Sequence, residues 1–120
     1  MEKRPATIFI DIDGTILKHH KNLWDIGIKE PELLEGVKEA FNNWDMKGYK
    51  IILTTGRKES LRKKTEKDLK EIGIFYDQLV MGLGGGVRYI INDFKDNSNL
   101  PTCHAITVDR NKGIKHLIDL

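Results

Sequence analysis

The chain has 120 residues, 39% of them hydrophobic and 32% charged, with a formal net charge of +2. These values describe a soluble globular domain with one modest core, leave little room for a second domain over a site, and exclude a disordered chain. So small a net charge does not by itself imply a nucleic-acid partner.

Met1 to Pro5 lead into Thr7-Ile8-Phe9-Ile10-Asp11-Ile12, an apolar, β-branched run. It is too short to span a membrane and, carrying Asp11, a poor signal peptide. Its apolar character on both faces predicts a strand of a covered parallel sheet, broken by Gly14. Ile16 to Glu30 have no clean period and are read as a long loop or small hairpin. Pro31 has the character of a first helical residue, and Leu33, Leu34, Val37, Ala40, Phe41 and Trp44 follow at helical spacing up to Gly48. Tyr49 to Thr54 is a second buried strand, with Gly56 after it. Ser60 is a candidate cap for a helix carrying Leu61, Leu69 and Ile72 on one face and stopping at Gly73. Leu79-Val80-Met81 is a short strand, followed by Gly84-Gly85-Gly86. Residues 88–92 and 105–108 read as two further strands, and Gly113 to Leu120 as a terminal helix. Alternating strands and helices predict a single α/β domain over residues 1–120, a three-layer α/β/α sandwich with a mostly parallel, Rossmann-like sheet.

Ligands of such sheets sit outside the carboxyl ends of the strands. Three of the predicted strands end in Asp11, in Thr54-Thr55 and in Asp93. Asp11 and Asp13 lie two residues apart, so strand geometry turns both the same way. Two close carboxylates repel, and a divalent cation removes that cost. With Asp93 they would form a three-oxygen site of the kind that binds Mg2+ while leaving room for waters and phosphate. Gly14 lets backbone N–H groups approach an anion, and Thr55-Gly56 offers a hydroxyl and a further N–H. Phosphoryl transfer uses this combination of positioning and charge neutralisation.

Asp11-Ile12-Asp13-Gly14-Thr15 resembles the first motif of the haloacid dehalogenase superfamily of phosphatases. Ile51 to Arg57 resembles its second motif, and Tyr89-Ile90-Ile91-Asn92-Asp93 its acidic fourth. The four fixed letters of the first motif arise by chance in roughly one chain in a thousand of this length. The resemblance implies that Asp11 attacks phosphorus and becomes an aspartyl phosphate, and that Asp13 protonates the leaving alcohol and then activates water. It implies Thr55, with Thr54 as second choice, and Gly56 as phosphoryl contacts. It also implies Mg2+ held by Asp11, the Asp13 carbonyl and Asp93. The third motif departs from the family: after Tyr76-Asp77-Gln78-Leu79, Leu83 stands where relatives carry a lysine, and Arg88 is the first candidate replacement, ahead of Lys63 and Lys64. Asn92 stands where a second acid is common.

The lesser features have simpler readings. His19 and His20 read as solvent-facing, with a substrate contact as the alternative; Cys103 and His104 read as structural. Cys103 is the only cysteine, which excludes an intramolecular disulfide and suits a cytoplasmic address. The run Arg57, Lys58, Arg62, Lys63, Lys64, Lys67 and Lys70 reads as a solvated helix face, part of which could draw in an anion. The expected function is Mg2+-dependent hydrolysis of a phosphate monoester without a cap domain. The loop from Leu17 to Glu30, with Trp24, is the local specificity element, and a neighbouring subunit is a possible means of closing the site. The Tyr-Asp-x-Leu stretch points to a phosphorylated sugar or polysaccharide precursor. The alternatives are a phosphate- or sugar-binding module without turnover, motivated by Leu83, and an enzyme acting on nucleic-acid ends, motivated by the basic helix.

Overall fold

A computed structural model describes residues 4–20 and 30–120. Three parallel strands, β1 (Thr7–Asp11), β2 (Lys50–Thr54) and β3 (Gln78–Val80), form a sheet in the order β1-β2-β3. Two helices connect them, α1 (Val37–Met46) and α2 (Arg62–Glu71). The register places Asp11 beside Thr54 and Thr54 beside Val80, so the carboxyl ends of all three strands finish together.

Alternate residues of each strand face the helices. Ile10, Ile51 and Leu53 are buried in one cluster with Val37, Ala40, Phe41, Trp44 and Leu69, and Ile8 and Leu79 pack against it. On α1 the buried residues fall at the i, i+3, i+4, i+7 spacing that puts one stripe on the sheet. Phe41 and Trp44 pack ring to ring at 5.3 Å. The Trp44 indole N–H donates to the Leu117 carbonyl at 3.2 Å, tying the chain's last turn to this helix.

The helix begins at Val37, later than the expectation from Pro31. Residues 32–34 are used elsewhere: Lys18 N–H donates to the Glu32 carbonyl and Leu34 N–H to that of Ile16, holding this stretch extended against the loop after β1. Ser60 lies within a short 3-10 turn, Glu59–Leu61, that leads into α2, and no side-chain cap is made there.

The expected α/β architecture with a parallel sheet is present, but the third layer is not formed among the described residues. The strand order runs in one direction, and right-handed crossovers made in one direction put their helices on one face. The opposite face carries Thr7, Phe9, Ile52 and Val80 over an open groove, with Phe9 56% exposed. Covering that face requires the chain to return to the free edge of β1. The two segments expected as further strands, 88–92 and 105–108, make no ladder, and Tyr89 and Ile91 are 85% and 94% exposed. The expected terminal helix is reduced to one 3-10 turn, Lys115–Leu117. Among the described residues no helix is long and apolar enough to cross a membrane. The specificity loop proposed around Trp24 lies largely outside the described residues.

Candidate active site

Asp11 closes β1 and Asp13 follows in a tight loop. The Ile12 carbonyl accepts from the N–H groups of Thr15, Ile16 and Leu17, at 3.2, 3.0 and 3.0 Å. Gly14 turns the chain at φ 91°, a conformation costly for side-chain-bearing residues, and its N–H donates to the Leu17 carbonyl at 2.7 Å. These four N–H groups are therefore committed to the loop, while the Ile12 N–H faces the Asp11 carboxylate.

Burial pushes the Asp11 carboxyl above its ordinary value. A hydrogen bond from the Ile12 backbone pulls it back, as does the charge of Arg88; Asp13 adds to the rise, and His19 opposes it. Asp11 is thus a partly desolvated carboxylate with a second acid and two basic side chains within electrostatic reach, which suits a nucleophile.

Asp13 is gripped by Arg57. The Arg57 Nη2 and Nε atoms donate to the two carboxylate oxygens of Asp13 at 2.7 and 2.8 Å, and Nη1 donates to the Thr65 hydroxyl at 3.0 Å. The arginine is delivered by the turn after β2. Its own N–H donates to Thr55 Oγ1 at 3.0 Å, its carbonyl accepts from Gly82 N–H at 2.7 Å, and Leu83 N–H donates to the Thr55 carbonyl at 3.1 Å. Sequence reasoning placed Arg57 in the second motif and in the basic run, and missed this role. The available signal was an arginine two residues beyond a strand-end threonine.

The other predicted residues divide. Thr54 is half-buried and next to Asp11 in register, whereas Thr55 is buried with its oxygen accepting from the Arg57 turn. Gly56 is exposed, and a Cβ there would lie 3.1 Å from the Leu83 carbonyl. Arg88 is close enough to Asp11 to act on its charge, although it lies on no strand. Lys64 is turned away: its ammonium bonds both Asp68 oxygens at 2.6 and 2.7 Å, and Asp68 is buried. Lys63 is exposed on the same helix. Two further basic side chains of α2 pair along the helix, Arg62 with Glu59 and Glu66, Lys67 with Glu71. Apart from buried Arg57, the basic run is thus partly neutralised along the helix, with Lys58, Lys63 and Lys70 exposed.

Asp93 does not join Asp11 and Asp13. It is exposed outside any strand, its carboxylate is 3.7 Å from the Lys95 ammonium, and its carbonyl accepts from the Thr102 hydroxyl. No group of three acids, histidines or cysteines suited to a metal forms among the described residues. The expected three-acid Mg2+ site is therefore incomplete. The physical reason is the missing strand over 88–92, which alone could bring Asp93 to the sheet edge. The Asp11 carboxylate and Asp13 carbonyl are oxygen donors of the type Mg2+ prefers, but they do not make a site on their own.

The Tyr76-Asp77-Gln78-Leu79 stretch has a structural task. Asp77 N–H donates to the Ile51 carbonyl and its carboxylate accepts from Ile51 N–H, both at 2.8 Å. This double tie lies at the amino end of β3, away from the site.

One further segment reaches the loop. Asn111 N–H donates to the Gly14 carbonyl at 2.8 Å, and the Asn111 side-chain oxygen accepts from His19 N–H at 2.7 Å. A Cβ on Gly14 would lie 3.2 Å from Cγ and 3.8 Å from Nε of Arg110.

An α/β domain with an acid pair at a strand end, one acid desolvated and the other clamped, defines a phosphatase of the haloacid dehalogenase type. The chain belongs to the family described as the polynucleotide kinase PNKP phosphatase domain, whose model matches residues 5–85. Two solved structures resemble it. The "Structure of Pnkp1/Rnl/Hen1 complex" has 28% identity and a TM-score of 0.58 over 71% of this chain and 30% of that one. The "Structure of the Pnkp1/Rnl/Hen1 RNA repair complex" has 26% identity and a TM-score of 0.57 over 79% and 28%. The chain thus spans under a third of the chains it resembles. A search of curated proteins finds no match. Neither the family nor these structures are of the sugar-phosphate or capsule-associated kind that the Tyr-Asp-x-Leu stretch suggested.

Proposed function

We propose that this domain removes a terminal phosphate from a polynucleotide through an aspartyl phosphate on Asp11. The observation that carries the reading is the desolvated Asp11 carboxylate beside a second acid held by Arg57, in a domain of the polynucleotide-end phosphatase family.

In the first step an Asp11 oxygen bonds to phosphorus and the bond to the leaving oxygen breaks, with protonated Asp13 giving its proton to the departing alcohol. In the second, water attacks phosphorus, Asp13 takes the water's proton, and the bond from phosphorus to Asp11 breaks to release inorganic phosphate. Both Asp13 oxygens are held by Arg57, so acid–base service requires one of them to be released toward the substrate. Thr54 contacts the phosphoryl group in preference to Thr55, because it is beside Asp11 and less buried. Arg88 supplies the cation that Leu83 does not.

Mg2+ dependence belongs to this reading through the family, supported by the Asp11 and Asp13 oxygens alone. The sugar-phosphate reading loses its motive, since Asp77 ties β3 to β2. The binding-module reading keeps one favouring observation, the separation of Asp93 from Asp11. Phosphate release separates all three. Oligonucleotides phosphorylated at either end, hexose phosphates and an aryl phosphate are compared with Mg2+ and with chelator, for the wild type and Asp11→Asn. The proposal expects oligonucleotide turnover that falls at least about a thousandfold in Asp11→Asn. Phosphate binding without turnover supports the module, and a preference for hexose phosphates refutes the polynucleotide reading.

A further inference from the structure

Three basic side chains of α2, Arg62, Lys64 and Lys67, are engaged by Glu59, Glu66, Asp68 and Glu71. Arg57 is likewise committed, to Asp13. At the loop after β1 the fold brings together Arg110, from a remote segment, and His19 of the loop itself.

Their placement is built. Ile114 N–H donates to the Glu35 carbonyl at 2.9 Å, docking the returning segment at the start of α1. Gly113, at φ 83°, lies so close to the Glu35 backbone that a Cβ would collide with its carbonyl oxygen. Asn111, at φ 63°, spans the gap between Gly14 and His19 with both of its bonds. Arg110, an exposed residue, is thereby laid across buried Gly14, which His19 also approaches. Among the described residues no carboxylate pairs with Arg110.

We infer that Arg110, with His19 beside it, forms a subsite for a second phosphate of the substrate, the internucleotide phosphate next to the terminal one. The inference rests on the polynucleotide reading above. A phosphoryl group attacked by Asp11 sits outside the end of β1, and Arg110 lies over Gly14 in the loop that follows, one step removed from Asp11 itself. A planar guanidinium pairs with phosphate through two parallel donors. A monophosphorylated mononucleoside has nothing to place there, whereas a dinucleotide does. The subsite therefore adds selectivity for a polymer end over a mononucleotide.

The test compares a 3′- or 5′-phosphorylated dinucleotide with the matching mononucleotide, using the wild type, Arg110→Ala and Arg110→Lys. The wild type is expected to favour the dinucleotide in kcat/KM, and Arg110→Ala to shrink that ratio roughly tenfold or more, mainly through KM. Arg110→Lys is expected to restore part of it and to keep the salt dependence of oligonucleotide binding. Arg110→Ala lowers the salt slope by about 0.7, the loss of one single-strand phosphate contact. Matched circular dichroism and melting curves establish that the variants are folded. Equal losses on both substrates, or an unchanged salt slope, overturn the subsite and leave Arg110 as packing over Gly14. A wild type that cleaves the aryl phosphate but neither nucleotide substrate overturns the polynucleotide reading itself, and the subsite with it.

Discussion

Replacing Arg57 by alanine isolates the interaction that links the second strand end to the first. Arg57 and Asp13 side chains are 6% and 15% exposed, so the pair sits out of bulk water. Removing the arginine leaves the Asp13 carboxylate with two lost donors and Thr65 with one. Breaking a buried pair by deleting one partner costs about 3–5 kcal/mol. Asp13 keeps a little contact with solvent, which favours the lower end, about 3 kcal/mol. In a domain of this size that lowers the melting midpoint by roughly ten degrees. Arg57→Lys keeps the charge but loses the fork, and costs about 1–2 kcal/mol. Urea denaturation of Arg57→Ala, Asp13→Ala and the double variant measures the coupling, expected at about 2–3 kcal/mol. Turnover should follow the same logic: Arg57→Ala slows the wild type but adds little to the loss in Asp13→Ala, because the arginine acts by positioning that acid. A loss below about 1 kcal/mol, the value of an exposed ion pair, or additive effects in the double variant, would refute the clamp.

Three other outcomes follow from the site. In chelator, Asp11→Asn should be more stable than the wild type near neutral pH. The folded-state pKa of Asp11 is raised by burial, so its protonated form favours the fold at low pH and that contribution is lost as pH rises through the raised value. The difference should close below the ordinary value of 3.8, and a pH-independent gap counts against burial as its cause. Arg88→Ala removes a charge that lowers the Asp11 pKa, so the acid limb of the pH–rate profile should move to higher pH; a stationary limb rules out Arg88 as the replacement for the absent lysine. Lys64→Ala should leave turnover close to wild type while costing about 1–2 kcal/mol, because it strips the buried Asp68 of its partner; a large loss of activity with no loss of stability reverses that assignment.

Local patterns settled much of this protein before any contact was known. The apolar stripe from Val37 to Trp44, the β-branched runs ending at Asp11 and Thr54, and Gly48 and Gly73 after the helices are all short-range signals, and each appears where expected. The acid pair at a strand end was equally legible, because a motif of adjacent residues needs no tertiary information. What failed were the features that depend on a partner. Residues 88–92 have the composition of a strand, but a strand forms only where an edge receives it, and with that ladder absent Asp93 stays away from Asp11. Arg57 and Lys64 look alike in a basic run, and only the packing showed that one clamps Asp13 while the other neutralises Asp68. Arg110 lies 96 residues from Gly14, and no spacing rule joins them; the docking of Gly113 and Ile114 on Glu35 does. Sequence fixes what each residue can do over a few neighbours, whereas which charges meet depends on crossovers and edges that only the folded chain decides.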